Sequence, residues 1–410
     1  MPALSQDNKP KESCPIYAER FCEFIFLCPF IMLTSLPPLS LYIHLPWCIR
    51  KCPYCDFNSH ALKTELPEER YVDLLLADLA QDLTWVTPRP LTSIFFGGGT
   101  PSLFSAKAIQ RLLDGVRMQL DWEKKIEITL EANPGTAEQE KFAGFHAAGV
   151  NRLSLGIQSF QDEKLKALGR IHNGENAQQA ISLAKSAGFS NFNLDLMHGL
   201  PNQTITDALY DLTTALSFSP THLSWYQLTL EPHTAFYQKP PTLPTEEVLQ
   251  GINIEGEQQL LNHQYQHYEI SAYAQSGKTC KHNLNYWNFG DYLGIGAGAH
   301  GKITDLNNNQ IIRYQKIKHP KEYLAAKNCY AQKEVIASER LPFEFMLNAL
   351  RLTQPLALEL FKNRTGLSLT AILPALEQAR KKQLLEFDEG FLKITALGKR
   401  FLNDLLLLFI

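Results

Sequence analysis

"YIHLPWCIRKCPYCDFNSH", Tyr42–His60, sets Cys48, Cys52 and Cys55 in the spacing C-x3-C-x2-C, three of the chain's eight cysteines within eight positions. Three chemistries compete for such a trio. A structural zinc ion wants four closed ligands, so His44 or His60 would have to complete the set. A redox dithiol wants one C-x-x-C, and the third cysteine is superfluous. A [4Fe–4S] cluster held by three thiolates leaves one iron open to a further ligand. The open iron accounts for the number three and for the position directly after the apolar run "LSLYIHL" (39–45).

That run is the first of six. "SIFFGG" (93–98), "IEITLEAN" (126–133), "RLSLGIQS" (152–159), "FNLDLMHGL" (192–200) and "HLSWYQLTLEP" (222–232) follow. Between them lie stretches of helical periodicity such as "AKAIQRLLDGVRMQL" and "GENAQQAISLAKSAG". Strand–helix alternation of this regularity predicts βα units on a parallel sheet. Six units rather than eight predict a partial (β/α)6, TIM-like barrel in an α/β fold. Glycines 97–99, Glu131, Asn133, Gln158, Asp195, His198 and Glu231 fall at successive strand ends, where barrel enzymes build their sites. One polar residue there reads as a helix cap or loop polar; a series across successive strands is a constellation.

The barrel is expected over 36–265, and 266–335 as a connecting region. The latter carries "CKHNLNYWNFGDYLGIGAGAHGK", read as a long ordered loop across a site. Residues 336–410 read as a small winged-helix-like domain: three helices, a hairpin turning on Asp388–Glu389–Gly390, and a last helix "ALGKRFLNDLLLLF". Residues 1–35 read as an extension, disordered or not native, with Met32 as the expected start. That extension lacks a basic region followed by a small-residue cleavage site, so the expected compartment is the reducing cytoplasm. There, clustered cysteines mean metal or catalysis more often than disulfides, while the isolated Cys280 and Cys329 read as packing residues. A net charge of −3 argues against a nucleic-acid partner, and no apolar run is long enough to span a membrane.

With "GGGTP" after the second strand and an aromatic, Tyr54, before the last cysteine, C-x3-C-x2-C on a partial barrel resembles the radical S-adenosylmethionine superfamily. "FFGGGTPSLF", "LEANPGT", "RLSLGIQSFQDEKLKALGRIH", "NLDLMHGLPNQT" and "HNLNYW" extend the resemblance from residue 36 to about 405. They match the oxygen-independent coproporphyrinogen III oxidase family, and within it the haem chaperone branch. The resemblance implies cluster ligands Cys48, Cys52 and Cys55. It implies S-adenosylmethionine contacts from Tyr42, Tyr54, Gly98, Gly99, Thr100, Glu131, Gln158, Arg170 and Asp195. The residue types suit those roles: the glycines admit a ligand close to backbone, the carboxylates accept from amine or ribose hydroxyls, and Arg170 can fork onto a carboxylate.

Oxidase and chaperone share these motifs. True oxidases of the family carry a further cysteine two residues after the third, where this chain has Phe57, and an ordered segment ahead of the first strand. "HNLNYW" (282–287) fits the chaperone signature, in which the histidine is implicated in haem binding; His282 is thus the expected haem residue, and His300 a second possible ligand. The resemblance implies a haem chaperone serving acceptor haemoproteins, membrane respiratory enzymes among them. The alternative is oxidative decarboxylation of coproporphyrinogen III to protoporphyrinogen IX.

Overall fold

A computed structural model describes residues 31–135, 141–388 and 390–410. Most of the expected N-terminal extension, with Cys14, Cys22 and Cys28, lies outside the described residues, as does Glu389 of the expected hairpin turn.

Six strands run parallel in chain order, each followed by a helix. They are β1 (Leu39–Leu45), β2 (Leu91–Gly98), β3 (Trp122–Ala132), β4 (Arg152–Gln158), β5 (Phe192–His198) and β6 (His222–Gln227). The helices are α1 (Glu68–Leu83), α2 (Ala106–Gln119), α3 (Phe142–Ala147), α4 (Gly174–Ser186), α5 (Ile205–Ser217) and α6 (Glu246–Asn262). Local chemistry starts several of them. Ser105 accepts from the Ala108 amide, and reciprocal boxes join Asn173 to Asn176 and Thr204 to Asp207. Leu41, Ile43, Ile94, Phe96, Leu130, Leu155 and Leu194 are fully buried, as a sheet covered on both faces requires.

Residues 266–335 extend this same sheet at both edges. β7 (Gln266–Glu269) and β8 (Ala272–Ala274) add antiparallel beyond β6. The chain then crosses to the far side, where β9 (Asp291–Ile295) pairs parallel with β1. β10 (His300–Asp305), β11 (Gln310–Lys316) and β12 (Tyr330–Val335) continue antiparallel. Among the described residues the result is one open sheet of twelve strands. The crossing contains α7 (Lys281–Trp287), a helix where a loop was expected. Its start is fixed by Glu127 on β3, whose carboxylate accepts from the amides of Lys281 and His282.

The β10–β12 extension is held by a buried charge cluster. Lys316, fully buried, donates to Asp78 (2.6 Å) and Asp82 (2.5 Å) on α1. The C-terminal unit packs α8 (Leu341–Ala349), α9 (Leu358–Thr365) and α10 (Leu373–Lys381) against a three-stranded antiparallel sheet. That sheet consists of β13 (Leu356–Ala357), β14 (Leu385–Phe387) and β15 (Phe391–Ile394). Its core centres on Phe345, Phe361 and Leu367, reaches Phe289 in the turn after α7 and Ile311 of the main sheet, and takes Ile31 from the N-terminal side. The expected last helix breaks in two at Phe401. Among the described residues, no helix is long and apolar enough to cross a membrane.

Candidate cofactor pocket and a neighbouring cavity

The loop after β1 is tied at its base. Trp47 and Cys48 pair with His60 and Ala61, so the cysteines occupy a closed excursion. The half-buried Cys48, Cys52 and Cys55 border a cavity of about 260 Å³ at the C-terminal ends of β1–β6. Burial pushes the Cys48 and Cys55 thiols up from their usual range. Gly98, Gly99 and Thr100 form the next wall, Glu131 the third and Gln158 and Asp195 the far side, with Tyr54 and Arg170 closing over them. Eight of the nine residues expected to contact S-adenosylmethionine thus meet in one place.

The glycines answer to packing as much as to a ligand. A Cβ on Gly99 would fall 2.5 Å from the Trp47 carbonyl oxygen, and one on Gly98, at φ +115°, 2.5 Å from the His44 ring. Backbone bonds from Gly99 to Leu45 and from Thr100 to Trp47 hold the two loops together. Arg170 donates to the Asn133 side chain (2.6 Å) and the Gly156 carbonyl (2.7 Å), lies 3.9 Å from Cys52 Sγ, and keeps a buried Nε with no partner. Asp195 accepts from Ser154 and Asn193, and burial raises its pKa. Glu131 accepts from the Gly98 amide, yet burial, reinforced by Asp195, pushes its pKa up to about 8. Gln158 is held at φ +68° and accepts from Tyr226, an uncommon backbone state at a strand end that borders a cavity.

The donor set fits a three-thiolate cluster beside a zwitterionic ligand. A zinc set is not assembled: His44 has both ring nitrogens engaged, by Tyr42 and by the Asn58 carbonyl, and His60 bonds the Asn58 side chain. Among the described residues, no three His, Cys, Asp or Glu side chains form a single-ion site.

Tyr42, the ninth expected contact, borders a second cavity of about 550 Å³, which shares Phe57, Gly98 and Glu131 with the first. Tyr286, Trp287 and Tyr292 give it aromatic walls, and His300 and Lys318 also line it. His282 does not. It is 1% exposed, stacks on Phe95, and has one ring nitrogen 2.9 Å from Ser93 Oγ and the other 3.0 Å from the Tyr286 hydroxyl. His198 packs at a tilt against Trp225, away from both cavities. Asn58 joins the cavities mechanically, its amide donating to the carbonyls of Ala297 and Lys318. Tyr226, Tyr292 and Lys318 escaped the sequence reading; the only signal was their period-two placement with Ser224, Gly294 and Lys316.

A cysteine trio beyond the first of six parallel strands, facing glycines, carboxylates and an arginine from the others, defines a protein of the radical S-adenosylmethionine class. The radical SAM superfamily pattern matches residues 42–213, and the HemN C-terminal domain residues 336–401. The chain is 53% identical over 382 residues to the heme chaperone HemW of Haemophilus influenzae, covering 92% of this chain and 99% of that one. It is 50% identical over 378 residues to that of Escherichia coli, covering 92% and 100%. It therefore belongs to the heme chaperone HemW family. Its fold matches that of the coproporphyrinogen III oxidase HemN of Escherichia coli with a TM-score of 0.77, at 23% identity over 91% of this chain and 90% of that one.

Proposed function

We propose that this chain is a cytoplasmic haem carrier, which binds haem in the second cavity and passes it to acceptor haemoproteins. The observation that supports this best is the aromatic-walled cavity set directly against the cysteine pocket, within the roughly 300–1,000 Å³ of small-molecule sites. Cys48, Cys52 and Cys55 would hold a [4Fe–4S] cluster, whose open iron supplies a coordination position for S-adenosylmethionine. Arg170 would take a carboxylate, Glu131 and Asp195 would accept from amine or hydroxyl donors, and Tyr54 would cover them; all four line the cysteine pocket. Phe57, 64% exposed, stands on the wall between the cavities, where an oxidase of this family carries a fourth cysteine.

The test uses anaerobically reconstituted protein. Iron and sulfide that disappear in Cys48→Ser, a one-to-one haem titration, and haem transfer to an apo-haemoprotein support the reading. Conversion of coproporphyrinogen III to protoporphyrinogen IX without haem binding overturns it in favour of the oxidase. The acceptors we propose include membrane respiratory enzymes, and recovery of none of them on immobilised haem-loaded protein would remove that part.

A further inference from the structure

Of the three histidines at or beside the second cavity, only one is placed to reach a ligand. His44 lines the cavity with both ring nitrogens engaged, by Tyr42 and by the Asn58 carbonyl. His300 lines the cavity and is exposed, and among the described residues its ring nitrogens make no hydrogen bond. His282 is buried, with both nitrogens engaged; to reach an iron it would have to give up Ser93 or Tyr286 and leave its stack on Phe95. We infer that His300 supplies the axial nitrogen to haem, and that His282 is a positioning residue that acts through Tyr286. The inference rests on the haem-binding reading above.

Three features of the fold put His300 there. It opens β10, at the lip where β9 ends. The lip is tight: a Cβ on Gly294 would fall 1.8 Å from the His300 carbonyl oxygen, so glycine opposite lets the strand sit this close. Its preceding loop is clamped to the cysteine loop through Asn58 and Ala297, and Gly298, at φ +82°, leaves no room for a side chain against Asn58. On the facing wall, the Tyr286 ring is fixed edge-on to both His282 (4.8 Å) and Tyr292 (4.4 Å), which gives a porphyrin a rigid aromatic surface. Lys318, on the same rim, forms no ion pair among the described residues and is placed for a haem propionate. Neutral imidazole is a standard haem ligand, and a porphyrin presents the matching chemistry: a flat apolar ring, an open iron position and two carboxylates.

The experiment compares wild type, His300→Ala, His282→Ala and Tyr286→Phe, each cluster-loaded and titrated with ferric haem, by absorption and low-temperature EPR. His300→Ala should lose the histidine-ligated spectrum and regain it with added imidazole. His282→Ala and Tyr286→Phe should keep that spectrum while binding about tenfold more weakly, as loss of an orienting partner does. If His300→Ala keeps the wild-type spectrum, or imidazole restores His282→Ala instead, the assignment is overturned while the haem reading stands. If wild type binds no haem stoichiometrically, both fall together.

Discussion

Glu131 gives the pocket a pH dependence that can be counted in protons. With its pKa pushed to about 8 by burial and by Asp195, the carboxyl is about nine-tenths protonated at pH 7 in the ligand-free protein. A ligand that donates hydrogen bonds to it favours the carboxylate, so binding below pH 8 expels that proton. The sign follows: affinity rises with pH up to about 8, then levels off. The slope approaches about tenfold per unit, or ~1.4 kcal/mol, well below pH 8, so the span from pH 8 to pH 6 covers up to about 50-fold. Isothermal titration of cluster-loaded protein with S-adenosylmethionine, in two buffers of different ionisation enthalpy, counts the protons released. Wild type at pH 7 should release about 0.9 proton more than Glu131→Gln, and the variant should have lost the extra slope. Equal release by the two proteins at pH 6 and 7 would refute the reasoning, because the elevated carboxyl would then play no part in binding.

Three other changes probe the frame around the pocket. Gly99→Ala drives a methyl into the Trp47 carbonyl, a backbone atom that cannot rotate away, at a strain of about 1–3 kcal/mol. Iron bound after reconstitution should fall while the far-ultraviolet circular dichroism stays unchanged, and full iron content would count against it. Lys316→Met strands Asp78 and Asp82 without their cation and should cost about 3–5 kcal/mol, read as a lower urea midpoint. Arg313→Ala removes a forked pair to Glu344 (2.7 and 2.6 Å) between β11 and α8, at about 1.5–3 kcal/mol. Hydrogen exchange should then quicken in 341–349 and not in β1–β6.

The barrel was readable because its strands announce themselves locally. Apolar runs of about six residues alternate with amphipathic helices, and the polar residues that matter sit at strand ends, where geometry gathers them. Cys48, Gly98, Glu131, Gln158 and Asp195 share a cavity for that reason. What lay beyond sequence was pairing between distant segments. Nothing local in "DYLGI" says that it runs parallel to "LSLYI", nor that "HQYQHYE" closes the opposite edge. α7 is a helix because a carboxylate from β3 receives its first amides, a partner more than 150 residues away. The burial of His282 was hidden in the same way, since a histidine's letter does not tell whether its two nitrogens are already satisfied.

The placement of β9 beside β1 has a consequence for biosynthesis. β1 carries the cysteine loop, yet one of its edges finds its partner only when Asp291–Ile295 has been made. At a synthesis rate of about 5–20 residues per second, that delay is roughly 12–50 s after β1 itself appears. The carbonyls of Ala297 and Lys318, which pin Asn58, arrive later still. During this interval the nascent chain presents three thiols on an unpinned loop next to an open strand edge, a state exposed to mispairing and oxidation. If the three cysteines take a cluster, as proposed above, its insertion belongs after the ribosome has released most of the chain, and a truncation ending before residue 291 should fail to hold iron even though all three cysteines are present.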